Sequence, residues 1–189
     1  MRNKNLLWLT TTAVLLALIV VAQLIPVQVP PVKQLVTGSL VNLILIVATT
    51  AVGLWSGVAL AGLSPFINLA LGQLPAPVMA PVVAIGNIIL VLIVWLFFRM
   101  ARDKSNGTQT AVNISGIVLA AVLKCAFLWS VTAGAIAPLL AGKAAQAKIA
   151  LLINMMSWPQ AVAAVIGGLI ALAVLPPVRR FLRVNNQQF

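Results

Sequence analysis

Six runs of apolar residues are separated by short polar or proline-rich breaks. They cover approximately Leu6–Ile25, Leu35–Val52, Trp55–Leu71, Pro77–Met100, Thr110–Gly134 and Ser157–Val178. A helix needs about 17–25 such residues to cross a hydrocarbon core roughly 30 Å thick. The pattern therefore predicts an all-α integral membrane protein: one domain over residues 1–189, built as a six-transmembrane-helix bundle. The third run is the shortest, and Pro65 interrupts it. A proline there frees a backbone carbonyl that protein or a cavity has to satisfy. Gln23–Gln34 reads as an extended loop. Gln73–Ala76 reads as a tight turn, and Gly142–Asn154 as a helical segment in the membrane interface.

Charge fixes the expected orientation. Arg2, Lys4, Arg99, Arg102, Lys104, Arg179, Arg180 and Arg183 share one side if the chain crosses six times, against Lys33, Lys143 and Lys148 on the other. Basic residues accumulate on the cytoplasmic side, so both termini are expected there. The net charge of +11 thus reports orientation rather than nucleic-acid binding.

The composition is 62% hydrophobic and 7% charged, as an integral membrane chain requires. With no histidine and Asp103 as the single acid, proton relays and ordinary nucleophile–base catalysis have no residues to run on. GLWSG at Gly53–Gly57 matches a serine elbow only as letters. GKAAQAK at Gly142–Lys148 lacks the spacing of a phosphate loop. No ATPase motif is present, so uphill transport needs an outside energy source. The single cysteine, Cys125, excludes an internal disulfide, and no metal or cofactor is expected.

Lys124 is the one charge in the interior of an apolar run, with Leu, Ala, Val, Cys and Phe around it. A lysine at membrane depth costs about 3 kcal/mol on insertion scales and usually faces a bundle interior or a solvated cavity. No acid inside the membrane can neutralise it, so an anion from outside the protein is the expected partner. Bonding to backbone carbonyls, or snorkelling, is the structural alternative. Asn42 and Asn68 in the outer parts of the second and third runs, Asn87 near the middle of the fourth, and Asn154, Trp158 and Gln160 at the outer start of the sixth point mostly to one half of the membrane. Together with Lys124 they form the candidate substrate-binding set, because a small polar ligand needs amides, a cation and aromatic walls. Each asparagine alone is equally well explained by hydrogen bonding between helices. Trp129 does not share the helical face of Lys124 and reads as a packing or interface residue.

Small residues form stripes that let helices approach. Gly53, Gly57 and Ala61 lead into the third run, and Ala163, Gly167 and Ala171 lie in the sixth. Both are expected to pack within the bundle. Ala13 and Ala17 form an AxxxA in the first run, for which a partner's helix is the alternative.

Six short spans, polar outer loops, this AxxxA, and the run GLWSGVALAGLSPFINLALG followed by PAPVMAPVVAIGN resemble the substrate-binding S component of energy-coupling factor (ECF) transporters of Gram-positive bacteria. The resemblance implies a subunit of the cell membrane that binds a vitamin from outside. It implies docking through Ala13 and Ala17 on a membrane coupling protein that carries two ATPase subunits. Within the family the chain looks most like the pantothenate type. A pocket with Lys124 and no carboxylate disfavours a cation and suits a monoanion or a neutral polar molecule. Hydroxymethylpyrimidine, folate, riboflavin and biotin stay open as substrates, and a stand-alone facilitator or membrane assembly subunit as the other class.

Overall fold

The computed structural model describes residues 4–26, 29–142 and 146–187. Arg2 and Lys143, which enter the charge comparison, lie outside the described residues. Among the described residues eight α-helices follow one another: α1 (Lys4–Gln23), α2 (Pro30–Val47), α3 (Leu54–Ala70), α4 (Met79–Met100), α5 (Asn106–Val131), α6 (Ala137–Leu140), α7 (Gln146–Met155) and α8 (Trp158–Gln187). Among the described residues, five stretches are long and apolar enough to cross a membrane: Asn5–Gln23, Val32–Val52, Met79–Met100, Asn106–Leu140 and Gln146–Arg180. Leu54–Ala70 is a shorter apolar helix. At 1.5 Å per residue its 17 residues reach about 26 Å, slightly under the usual core thickness.

The six long helices close into a ring. α1 packs on α2 and α3, α3 on α4, α4 on α5, α5 on α8, and α8 back on α2. Leu45, Leu60, Leu90, Val94, Ile117 and Ala121 fill the middle of the ring and are buried. α1 contributes least to this core. Ala13, Val14, Ala17 and Leu18 all remain exposed, while Ile19 faces inward.

Close approach depends on the small residues. At Gly167 a Cβ would stand 2.4 Å from the backbone oxygen of Ser39, so α8 and α2 touch backbone to backbone there. Ala163 and Ala171, one turn to either side, are fully buried. Gly57 lies against the Thr49 side chain, and Ala61 is fully buried. Gly53 departs from the expected packing role. It has φ 144° and no neighbour within 4 Å of a Cβ position, and it serves as the backbone break before α3.

That break follows a π-helical turn over Ala48–Val52. Thr49 and Thr50 bond back to the Leu45 and Ile46 carbonyls, and Arg179 of α8 donates to the Thr50 carbonyl at 3.1 Å. The basic part of α8 therefore sits beside the α2–α3 connection.

The expected loop at Gln23–Gln34 is shorter than predicted. Pro30 occupies the first turn of α2, where its missing N–H is unpaired in any helix and its fixed φ suits the helix. The helix thus begins five residues before Leu35. α5 likewise starts at Asn106 rather than Thr110 and continues through a π turn at Thr132–Ile136 into α6. α7 packs Leu152 against Met79, Leu128 and Met156 and also buries Ile149, while Gln146 and Lys148 are exposed.

The contact at Gly167 sets a stability test. Gly167→Leu forces side-chain atoms into the α2 backbone and is expected to cost about 1–3 kcal/mol, as overpacking typically does. Gly62→Ala, with open space at its Cβ, serves as the control and is expected to melt like the parent. Tryptophan-fluorescence melts in detergent check both.

Candidate functional site

One end of the ring, the end carrying the α1–α2 and α3–α4 connections, holds a cavity of about 90 Å³. A single water needs about 10–15 Å³ by this measure, so the space suits a small molecule better than one trapped water. Its wall is assembled from every helix of the ring. α1 contributes Gln23; α2 contributes Lys33, Gln34, Thr37 and Asn42; α3 contributes Ser64, Pro65 and Asn68; α4 contributes Asn87, α5 Lys124 and α8 Gln160. Gln73 and Leu74 of the α3–α4 turn and Met155 of α7 complete it.

Lys124 is 3% exposed and donates from Nζ to Asn42 Oδ1 at 2.8 Å. This bond joins α5 to α2 across the cavity floor. An ammonium has three donors, and Asn42 takes one of them. No acidic residue lines the cavity, and Lys33 adds a second cation, bonded to the Gln73 side chain. The wall is therefore cationic and rich in carboxamides, a surface that attracts an anion with further polar groups.

Of the seven candidate residues, Asn42, Asn68, Asn87, Lys124 and Gln160 meet at this cavity. Asn154 and Trp158 do not. The reason is helical phase. Leu152 and Met156 turn toward the bundle, which puts Asn154 on the opposite side of α7, where it is exposed. Gln160 faces inward from α8, so Trp158, two residues earlier, faces out and is 56% exposed. Trp129 is also half exposed and off the wall.

Sequence reasoning missed Gln23, Lys33, Gln34, Thr37, Ser64 and Gln73. A signal existed on α2, where Gln34, Thr37, Val41 and Asn42 recur at helical spacing. Reading Pro30–Gln34 as loop hides it, because the start of that face, Lys33 and Gln34, then falls outside any helix. Pro65 lines the cavity. It cannot donate to the Ala61 carbonyl, and beside it Gln23 Nε2 bonds the Ser64 carbonyl at 3.0 Å.

The family model described as ECF transporter, substrate-specific component, matches residues 8–179. The chain belongs to this family. No curated protein and no solved structure gives a significant match. Membership makes the chain a multi-pass membrane subunit that binds a small-molecule substrate and docks with an ECF module, a transport role rather than an enzymatic one.

The Lys124–Asn42 bond predicts coupled stabilities. Asn42→Leu leaves a buried ammonium without its acceptor and is expected to destabilise by about 1–3 kcal/mol. Adding Lys124→Met removes the orphaned charge, so the double variant is expected to melt above Asn42→Leu alone. Thermal melts of the four proteins in one detergent measure the coupling.

Proposed function

We propose that the cavity captures a small polar monoanion, with pantothenate the favoured vitamin. One observation carries this reading. Lys124 is buried on the cavity wall with a single neutral partner and no carboxylate nearby. Pantothenate offers one carboxylate for that ammonium, and an amide and hydroxyls for the surrounding carboxamides of Asn42, Asn68, Asn87 and Gln160.

In this reading the chain crosses the cell membrane six times with both termini in the cytoplasm, and the cavity opens outward. Supporting this, the described basic residues Arg99, Arg102, Lys104, Arg179 and Arg180 belong to the connections and ends away from the cavity, whereas Lys33 lies at its mouth. Ala13 and Ala17, exposed on the least buried helix, form the face that docks on the membrane coupling protein carrying two ATPases. ATP hydrolysis by those subunits then supplies the energy that this chain lacks the motifs to obtain.

Binding of a vitamin panel to the purified subunit tests the substrate. Pantothenate is expected to bind selectively, and Lys124→Ala to weaken it by about 10- to 100-fold, the value of a charged hydrogen bond. Selective binding of a neutral vitamin, unchanged in the variant, overturns the anion reading. Ala13→Trp and Ala17→Trp are expected to abolish co-purification with the coupling module and uptake, while binding by the isolated subunit is unchanged. Uptake that survives both substitutions contradicts the docking face and favours a stand-alone facilitator.

A further inference from the structure

Three polar atoms of cavity-lining residues are buried without a hydrogen-bond partner among the described residues: Gln23 Oε1, Ser64 Oγ and Asn42 Nδ2. Their chemistry separates them into two groups. Asn42 accepts from Lys124 through Oδ1, which identifies its unpaired atom as the amide donor. Donor and cation therefore stand together where α2 meets α5. Gln23 shows the reverse. Its Nε2 donates to the Ser64 carbonyl at 3.0 Å, and turning the amide over would set two acceptors against each other. The unpaired atom of Gln23 is thus an acceptor. Ser64, 1% exposed, adds an unpaired hydroxyl, which can accept from a ligand donor while its own O–H stays free to donate.

Buried polar atoms are nearly always paired, so an exception in a cavity-lining residue calls for a partner that the described residues do not supply, whether water, ion or ligand atom. The neighbouring residues make this corner permanent rather than accidental. Gln23 ends α1, and its bond to Ser64 ties α1 to α3 beside Pro65, which has no N–H of its own to offer. Gln23, Ser64, Pro65 and Asn68 all line the cavity.

We propose that Gln23 and Ser64 form an acceptor pole that selects ligands carrying a hydroxyl or amide N–H in addition to their anionic group. This rests on the cavity being the substrate site, and it deepens that reading. Lys124 and Asn42 read the anion, while Gln23 Oε1 and the Ser64 hydroxyl read a donor elsewhere on the same molecule. A simple carboxylate satisfies the first pole and leaves the second unpaired. The site therefore rejects ligands that lack a donor, as sites built around buried hydrogen-bonding groups do.

Calorimetric titration of the full chain in detergent with three probes separates the two poles. Pantothenate has a carboxylate and donors, panthenol has the donors with an alcohol in place of the carboxylate, and nicotinate is a carboxylate with neither hydroxyl nor amide N–H. The parent protein is expected to prefer pantothenate to nicotinate. Gln23→Met and Ser64→Ala are each expected to reduce that preference by about 5- to 10-fold. Both variants should leave the preference for pantothenate over panthenol as it was, since Lys124 sets it. Variants that change neither preference, or both alike, overturn the acceptor pole. So does a parent protein that binds nicotinate as well as pantothenate, or binds none of the three. If Lys124→Ala leaves the pantothenate-to-panthenol ratio intact while Gln23→Met still erases donor selectivity, the anion reading fails and the acceptor pole stands.

Discussion

A lysine ammonium inside an apolar bundle needs acceptors, and this bundle supplies a neutral one, Asn42 Oδ1, 2.8 Å from Lys124 Nζ. A neutral amide orients the charge without cancelling it. The remaining positive potential is directed at a cavity whose wall contains no acid, in a medium too apolar to screen it. Much of the architecture follows from holding that cation in place. α2 and α5 must stay in register for the bond to exist, and α8, packed on both, keeps them there.

The register is maintained by close glycine and alanine contacts, together with the polar tie from Arg179 of α8 to the Thr50 carbonyl. Gly167 brings α8 onto the α2 backbone at Ser39, one turn before Asn42, and Gly168 meets Ile117 of α5. The same helix thus packs on both helices that carry the Lys124–Asn42 bond. In lipid, such contacts act through van der Waals packing, because apolar burial alone gives little preference for protein over hydrocarbon. α1 stands apart from this packing. Within the ring it is held by packing of Ile19 into the core and by bonds of Thr12 with Ser56 and of Gln23 with the Ser64 carbonyl, and most of its surface is left uncovered. One helix therefore touches the cavity at its last residue and offers a bare apolar face along its length.

The helices and the central cation were legible in the sequence because each depends on local chemistry. Long apolar runs admit one secondary structure in lipid, and a solitary lysine among them has few ways to exist. The small-residue stripes of α3 and α8 were equally readable, apart from Gly53, whose role is conformational. What the sequence concealed was phase and start point. Asn154 and Trp158 were grouped with the cavity by depth, yet helical rotation turns both away from it. Lys33 and Gln34 read as loop polarity because Pro30 and Pro31 resemble a break, although in a first turn they begin a helix, and Gln23 stands where the first run and that loop overlap. Ser64 and Gln73 carried no signal of their own. Their importance comes from the helices that meet them, which only the tertiary arrangement shows.

The most direct test of this account is an experimental structure of the protein with its bound vitamin. It predicts a ligand carboxylate within hydrogen-bond reach of Lys124 Nζ, with the bond to Asn42 retained. A ligand whose anionic group lies elsewhere, with Lys124 sealed from it by protein groups, would contradict the account at its centre.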